Sequence, residues 1–541
     1  MAQPRRNPVF NLEEAREAIL DSDSDNEFDK MSVDLGSDEE YSNIKDLDDV
    51  NATDLPGPPG GDSEDDAPLG LDELPPDFVP GASGNKRRRI APTGRSWDDD
   101  PAQDPHLFDF TGMPGLNPNL GLSETSTPLD CYLKFVSNET FEKASEETNR
   151  YASCVLRENP PSPSSPAKKW CSTTAGELMI FWALCMLMGI VGKPVAQLYW
   201  STRKSIVTPF FLQAMTGDRF QLILRFLHFN NNENNKPRTD PDYDPLFKLR
   251  PYYDALCTAF HTVFTPFRSI SFDEALIRFY GRLSFKNYNP RNGHLPAKYG
   301  MKAYKICDPT GYTWKFVLYT GKMQYSIVEL VLSMMAGLLD KGYRFFMDNW
   351  YSSPALFTEL FKRKTHACGT VRSNRIDMPK DLKPDRKLRP GEAIFCRSKE
   401  LLTMLWRDKR DVTMLSTIHS NKFSETHKKD RVTGENVQKP EIVLDYNRYM
   451  GGVDLSDFLT NTYADMRKSL KWYKKLVFHM NDLGVMDAYI VYCHLQDSQV
   501  NHLNLVLDLI EELVAFGNSL SQDRPKPSRA GSNKENVLRL E

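Results

Sequence analysis

Hydrophobic positions are spread unevenly along the chain, and their spacing changes from one region to the next. Residues 1–104 place few large apolar side chains among many acidic, Ser, Pro and Gly positions. Such a segment cannot bury enough surface to offset its conformational entropy, so we expect a disordered acidic arm. From about 105 to 265 the apolar residues recur at helical spacing, as in 219–227, which predicts a mainly helical region.

The longest apolar run, Leu178 to Val191, has 14 residues. A helix needs about 20 residues to cross a bilayer, so we predict a buried helix here and no membrane partner.

From about residue 266 the pattern changes to that of a mixed α/β region. The turn signal Pro309–Gly311 separates two β-rich runs, 301–308 and 312–319. Further along, the spacing predicts a helix over 327–339, a buried strand over 343–347, a helix over 352–364 and a strand over 366–371.

Residues 372–440 interrupt this order with Pro, Lys, Arg and short β-like pieces, 401–406 and 412–416, and we interpret them as an insertion. The chain is predicted to be helical again from Tyr463 to about Ile510. It then ends in a polar tail.

Charge separates the arm from the rest. Residues 1–104 hold 27 Asp and Glu against 10 Lys and Arg, whereas residues 105–541 hold 46 against 58, a net charge of +12. A basic body suits a polyanionic partner because neutralised phosphates release counterions, although a solvated basic surface explains the charge equally well. The acidic arm is expected to compete with such a partner for that body. Within the arm, the cluster Lys86, Arg87, Arg88 and Arg89 predicts nuclear localisation, with a solvated charge run as the alternative.

Nine scattered cysteines contain no C-x-x-C pair. Neither a disulfide framework nor a zinc ribbon is indicated, and the N-terminus lacks the apolar core of a secretory signal. We therefore expect a soluble intracellular protein.

Three aspartates occupy positions that suit phosphate chemistry. Asp273 closes an alternating strand-like stretch, Asp348 follows a buried strand, and Asp454 begins a helix after Gly451-Gly452-Val453, with Asp457 on the same helical face. Carboxylates from separate elements can hold a pair of hard cations around a reacting phosphate. The order strand, strand, helix is that of an RNase H-like nuclease or transposase core.

Each acid also has a simpler explanation. Asp454 could cap a helix, Asp457 could be a first-turn acid favoured by the helix dipole, and Glu274 could replace Asp273 as the ligand.

Five segments in sequence order resemble the piggyBac transposase family. They contain all of the acids above: 271–282, Lys298–Lys302, Met347–Ser352, Cys368–Asn374 and Tyr446–Asp457.

The resemblance implies an α/β fold: an RNase H-like catalytic core with a β-rich insertion, plus a mainly helical dimerisation and DNA-binding domain made from two chain segments. The expected divisions are 1–104 (arm), 105–265 (helical domain, first part), 266–372 (core, first part), 373–440 (insertion), 441–462 (core, second part), 463–518 (helical domain, second part) and 519–541 (tail).

By motif, the resemblance makes Asp273, Asp348 and Asp454 catalytic ligands of Mg²⁺, or Mn²⁺, and Asp457 an auxiliary acid. It implies a homodimer that excises a double-stranded DNA element by its ends and inserts it at TTAA, and the basic cluster at 86–89 predicts that the protein acts in the nucleus.

Two basic groups are candidates for DNA contact, with solvated faces as the alternative. They are Arg278, Arg282, Lys286, Lys298, Lys302 and Lys305 after Asp273, and Arg467, Lys468, Lys471, Lys474 and Lys475 around Trp472 and Tyr473.

Family members commonly end in a cysteine-rich zinc finger, but no cysteine follows Cys493. We therefore expect no zinc finger and modest end specificity. Three functions stay open: an active recombinase, a domesticated DNA- or chromatin-binding derivative, and an RNase H-like nuclease that acts on other nucleic acids.

Overall fold

The computed structural model describes residues 94–288, 299–321, 326–380, 382, 388–429, 434–464 and 471–521. The predicted localisation cluster at 86–89 lies outside these residues, as do three of the basic candidates, Lys298, Arg467 and Lys468.

Helices occupy both ends of the described chain. Those before the main strands are α1 (Pro128–Tyr132), α2 (Asn138–Glu158), α3 (Ala175–Ile190), α4 (Pro209–Ala214), α5 (Gly217–Phe226) and α6 (Arg250–Val263). Those after them are α7 (Ile327–Met334), α8 (Pro354–Lys362), α9 (Glu441–Met450), α10 (Gly452–Thr462), α11 (Trp472–Leu495) and α12 (His502–Ser521). Short 3₁₀ turns lie at Pro118–Leu120, Pro166–Lys169, Ala196–Trp200, Asn232–Asn234 and Phe247–Leu249.

The apolar run forms the buried helix α3, as predicted. Thr174 caps its N-terminus by accepting a hydrogen bond from the Glu177 N–H at 3.2 Å. Every side chain from Leu178 to Met188 is buried, since α3 packs against α2 on one side and α12 on another. Helices from two distant segments thus share one core. No helix in the described residues is long and apolar enough to span a membrane.

The strands are β1 (Gly115–Leu116), β2 (Phe264–Thr265), β3 (Ser269–Arg278), β4 (Lys286–Tyr288), β5 (Tyr299–Cys307), β6 (Thr313–Leu318), β7 (Arg344–Met347), β8 (His366–Thr370), β9 (Ala393–Ser398), β10 (Leu401–Arg407), β11 (Asp411–Ser416), β12 (Phe423–Lys429) and β13 (Asn436–Pro440).

Nine of the described strands form one mixed sheet, in the order β4-β5-β3-β7-β8-β11-β10-β9, with β6 paired to β5. Strands β3, β7 and β8 are parallel, and all other pairs in the sheet are antiparallel. Helix α8 packs on β8, and helices α9 and α10 pack on β3. The fold is therefore mixed α/β, built around a large mixed sheet.

Asp273 does not end its strand, as we expected from the alternation, because β3 continues to Arg278. The reason lies in its two neighbours. Strand β5 pairs with β3 from Ser271 to Arg278, whereas the pairing with β7 stops at Phe272. Asp273 is therefore the first residue of β3 beyond the parallel ladder.

Part of the predicted insertion continues the main sheet. Its strands β9, β10 and β11 extend the main sheet, because β11 pairs antiparallel with β8 from Cys368 to Thr370. Within the described part of the insertion, only the hairpin β12–β13 forms a sheet of its own. The antiparallel continuation satisfies backbone groups on β8 that would otherwise form an open edge.

The predicted helical segment from Tyr463 to Ile510 consists of two helices, α11 and α12, within the described residues. Helix α12 continues to Ser521, so the start of the predicted polar tail at 519 belongs to a helix.

The last eleven residues of the predicted acidic arm are docked on the sheet. They begin a strap, residues 94–111. Arg95 Nη2 donates to Thr358 Oγ1 at 2.9 Å and pairs with Glu400 at 3.3 Å. Trp97 Nε1 donates to the Asp377 carbonyl at 2.9 Å, and Asp99 forms a β-bridge with Arg397. Residues 94–104 thus make defined contacts, and the predicted arm boundary at 104 is wrong. The acidic composition of this segment gave no sign of these polar contacts.

The strap continues across the start of β8. The Phe108 N–H donates to His366 Nε2 at 3.0 Å, and the Thr111 N–H donates to the Lys341 carbonyl. Burial first, and then the nearby cations Arg344 and Arg268, lower the pKa of His366 to about 4. The imidazole is thus neutral at physiological pH, so its Nε2 can accept this bond.

The strap predicts different outcomes for two truncations. Removing residues 1–104 should lower the stability of the core by roughly 1–3 kcal/mol relative to removing residues 1–93, because only the longer deletion removes Arg95, Trp97 and Asp99. Thermal unfolding of the two truncated proteins tests this. Equal midpoints would show that the docked residues contribute nothing.

Candidate active site

The ladder between β3 and β7 brings two of the predicted acids together. Its last pair is Phe272 and Met347, so the next residues, Asp273 and Asp348, extend from neighbouring parallel strands at the same level. Neighbouring strands lie about 4.8 Å apart. Two aspartates 75 residues apart in sequence thus occupy adjacent backbone positions.

A tight turn fixes Asp348 immediately after β7. Its Oδ1 accepts the Trp350 N–H at 2.9 Å, and its carbonyl accepts the Ser352 hydroxyl at 2.9 Å. Burial raises the pKa of Asp348 above its ordinary value, although the bond from Trp350 opposes this shift. The side chain is therefore held by the backbone of the turn that follows it.

Asp454 reaches the same region from helix α10. The helix starts at Gly452, where an added Cβ would lie 2.5 Å from the Asp308 carbonyl and 2.7 Å from Ser271 Oγ. Only glycine permits this close approach of the helix start to β3. Asp454 is an exposed residue of the first turn, and the N-cap position is held by Gly451.

The three acids interact electrostatically. Burial raises the pKa of Asp273 well above its ordinary value, and the negative charges of Asp348 and Asp454 add to the effect. The Glu274 N–H opposes the shift by donating to Asp273 Oδ1 at 2.8 Å. The described residues contain no group of three or more His, Cys, Asp or Glu side chains close enough together to form a ready-made metal site. The acids are thus near one another without forming a closed cage.

Glu274, the alternative to Asp273, has other partners. Its Oε1 accepts from Lys302 Nζ at 2.6 Å and from the Tyr351 hydroxyl at 2.6 Å. A carboxylate neutralised by an ammonium has less charge to offer a metal, so the structure favours Asp273 over Glu274 as a ligand.

Asp457 is bound to a lysine. Its Oδ1 accepts from Lys305 Nζ at 2.9 Å, and the same ammonium donates to Ser456 Oγ at 2.5 Å. Lys305 is fully buried. Burial alone would lower the pKa of Lys305, but attraction to Asp457, together with smaller contributions from Cys307 and Asp487, outweighs it and raises the pKa above its ordinary value. Lys305 therefore cannot contact a DNA phosphate as the sequence suggested.

Further buried polar groups surround this ion pair. Ser456 Oγ lies 2.9 Å from Thr313 Oγ1, and the Thr313 N–H donates to Asp487 Oδ1 at 2.9 Å. Burial raises the pKa of Asp487 well above its ordinary value. The sequence did not single out Asp487, although an aspartate inside the otherwise apolar stretch 483–491 was an available signal.

The predicted DNA-contact residues differ in their surroundings. Arg282 is exposed and Arg278 is half-buried at the end of β3, while Lys302 is paired with Glu274. Lys471 and Lys475 are half-buried near the start of α11.

The prediction that Lys474 contacts DNA is wrong. It is buried, and its Nζ donates to the Leu224 and Arg225 carbonyls at 2.6 and 3.0 Å, in the last turn of α5. Its charge stabilises a helix C-terminus and is not available to a phosphate.

Comparison with known proteins identifies related chains. A family model described as transposase IS4 matches residues 127–489, about two thirds of the chain. Human piggyBac transposable element-derived protein 3 is 26% identical over 464 residues, covering 81% of this chain and 73% of that protein. Human piggyBac transposable element-derived protein 2 is 26% identical over 444 residues, covering 77% and 68%.

A solved structure is also similar. A piggyBac transposase in a synaptic complex with hairpin DNA aligns with a TM-score of 0.64 and 23% identity, covering 77% of this chain and 86% of that one. At this identity the likeness establishes a shared fold.

The raised pKa of Asp273 predicts a stability gain in one variant. The folded state keeps a proton that the unfolded chain releases from about pH 4 upward, so ionisation makes folding less favourable as pH rises. Asp273→Asn removes this penalty. Without divalent metal, we expect its unfolding midpoint at pH 7.5 to exceed that of the wild type by roughly 2 °C or more, and the gain to shrink towards pH 4.

Thermal unfolding in EDTA across this pH range is the measurement. Asp408→Asn, in the exposed β10–β11 turn, is the matched control and should show no such trend. A constant difference between Asp273→Asn and wild type at every pH would contradict the prediction.

Because Lys474 is buried, we expect its substitution to lower the stability of the protein without changing how DNA binding depends on salt. Lys474→Met leaves two helix-end carbonyls without their donor and should cost about 1–3 kcal/mol of stability. It should not change the slope of log binding constant against log salt for DNA. Lys475→Gln is the matched variant, with an expected loss of about 0.9 in slope if that residue contacts a phosphate. A flatter slope for Lys474→Met would contradict the structural role.

Proposed function

The chain belongs to the piggyBac transposase family, and on that premise we propose that it cleaves and joins DNA strands by metal-dependent phosphoryl transfer. The proposed catalytic residues are Asp273, Asp348 and Asp454. The observation that supports this most is the end of the β3–β7 ladder, which sets Asp273 and Asp348 side by side within electrostatic range of Asp454.

We further propose that β6, β5, β3, β7 and β8 form an RNase H-like core. Three antiparallel strands followed by two strands parallel to the first, in the order β6-β5-β3-β7-β8, support this assignment. In this core the first acid lies on the central strand and the second directly follows its parallel neighbour.

The chemistry of the three acids suits Mg²⁺ or Mn²⁺, since both prefer carboxylate oxygens. Mutual repulsion of like charges, one of them largely buried, is a further reason to expect a cation between them. When bound, a pair of such ions polarises the phosphate and stabilises the attacking and leaving oxygens.

The protein groups would have distinct tasks at this site. Asp348 is held by the turn at Trp350 and needs little reordering to bind a ligand. Asp454 is exposed, so its side chain can turn towards the other two acids. Lys302 and Tyr351 hold Glu274, which keeps that neighbouring carboxylate from competing for the ion.

The proposed substrate is double-stranded DNA: the ends of a transposable element and a TTAA target. The similar solved structure is a transposase bound to hairpin DNA, which supports a DNA substrate for this chain. A homodimer in the nucleus is part of the same proposal, based on the family resemblance and on the basic sequence at 86–89.

A domesticated DNA- or chromatin-binding protein without cleavage activity is the second candidate. Among the described residues the acids do not form a ready-made metal group, which is compatible with this candidate. A protein that only binds DNA has no need to hold three acids close enough for catalysis.

Asp348→Asn distinguishes the two candidates. The amide keeps the shape of the side chain but loses the charge that holds a divalent cation, so strand cleavage should fall roughly 100-fold or more. DNA affinity should stay near that of the wild type. The assay combines purified full-length protein, Mg²⁺ or Mn²⁺, and DNA with the flanking terminal repeats, scored for nicks and hairpins.

Asp408→Asn is the control and should cleave like the wild type. Equal cleavage by Asp348→Asn would refute the assignment of Asp348. A wild-type protein that binds this DNA tightly and never cuts it would favour the domesticated alternative.

A further inference from the structure

A buried lysine lies opposite the first proposed catalytic acid. The register of the antiparallel pair β3–β5 makes Lys305 the direct partner of Asp273. Direct partners in such a pair point to the same face of the sheet, with Cβ atoms about 4.5–5.5 Å apart. An ammonium that belongs to the protein itself is thus within side-chain reach of a carboxylate proposed to bind a metal ion.

Lys305 is nevertheless turned away from Asp273. Its ammonium contacts Asp457 Oδ1 at 2.9 Å and Ser456 Oγ at 2.5 Å, and among the described ion pairs it has none with Asp273. Both partners are on α10, the helix that also carries Asp454. Asp457 retains about a third of its side-chain exposure, whereas Lys305 has none.

A fully buried ammonium needs a negative partner, because its desolvation is costly. If Asp457 were removed, Asp273 would be a carboxylate on the same face to which Lys305 could turn. Asp487 is the other nearby acid and competes for the ammonium, because its Oδ1 accepts the Thr313 N–H but its buried Oδ2 has no hydrogen-bond partner among the described residues. Unchanged Mn²⁺ binding in Asp457→Ala would show that Lys305 turns to Asp487 and would overturn the proposal made below. A Lys305–Asp273 pair would neutralise one of the three acids and oppose the binding of a divalent cation.

We propose that Asp457 is a positioning residue: it holds the ammonium of Lys305 away from Asp273 and so keeps the three-acid site open to a divalent cation. This inference rests on the proposed function, and it gives Asp457 an indirect role in place of direct metal ligation. The Lys305–Asp457 pair would then set the metal affinity of the site without touching the metal.

Direct Mn²⁺ binding to full-length protein without DNA tests the proposal, for example by electron paramagnetic resonance of the free ion. Asp457→Ala releases Lys305 and should weaken Mn²⁺ binding about 10-fold or more. This is the range typical of residues that orient or support metal ligands without binding the metal themselves. Alanine is preferred to asparagine because the amide oxygen of asparagine could still accept a bond from Lys305.

Lys305→Met supplies the decisive comparison. In the wild-type background it should change Mn²⁺ affinity less than about threefold, because Asp457 already neutralises the lysine. In the Asp457→Ala background the same substitution should restore affinity about 10-fold, to near the wild-type value. If Asp457 were a direct ligand, the double variant would bind as weakly as Asp457→Ala. If both residues acted only through long-range charge, Lys305→Met would have the same effect in both backgrounds. Either result would overturn the proposal.

Two controls separate this inference from its premise. Asp273→Asn should abolish the Mn²⁺ site, and wild-type binding equal to that of Asp273→Asn would refute the metal site itself. Thermal unfolding in EDTA shows whether each variant is folded.

Should Asp457→Ala fail to fold, Ser456→Ala, which removes one of the two bonds to the same ammonium, takes its place. Its smaller loss of affinity should likewise be reversed by Lys305→Met, and the absence of that reversal would count against the proposal.

Discussion

Repulsion among the carboxylates of Asp273, Asp348 and Asp454 is the constraint to which the surrounding structure responds. Burial is the main reason that the pKa of Asp273 is raised well above its ordinary value, and the negative charges of Asp348 and Asp454 add to this effect. The fold holds them there through contacts that do not depend on the acids: the ladder between β3 and β7, the turn after Met347, and the contact of Gly452 with Ser271. The divalent cation proposed for this site would reduce that repulsion.

The same constraint explains where the nearby positive charges lie. Lys302 is held by Glu274, and Lys305 is held by Asp457. Each lysine has an acid of its own, so neither ion pair includes one of the three aspartates. Internal cations are thus present beside the site, but they are already neutralised.

Much of this could be predicted from local sequence, and the rest could not. The strand before Asp348, the hairpin around Pro309–Gly311 and the helix from 175 to 190 follow from spacing and turn chemistry, which act over a few residues. The extent of β3 beyond Asp273 depends on β5, a partner 30 residues away, and the joining of β11 to β8 depends on backbone pairing that leaves no mark on composition.

Single basic residues were the least predictable feature. Lys305 and Lys474 have the composition of a DNA-binding surface, yet each is buried against oxygen atoms from a distant part of the chain: Asp457 for the first, and the end of α5 for the second. Charge in a sequence indicates what a residue can pair with. It does not tell whether that partner is already supplied by the fold.

The strap has a consequence for the acidic sequence that precedes it. Arg95 fixes the chain to Thr358 on α8, and Trp97 donates to the Asp377 carbonyl. Asp377 is two residues from Arg375, which donates to the Trp350 carbonyl beside Asp348. Residues 1–93, with 23 acidic and 9 basic side chains, are therefore joined covalently to a segment whose position is fixed. Any pairing between them and the basic body is intramolecular, so its strength depends on an effective concentration set by tether length and not on the amount of protein in solution.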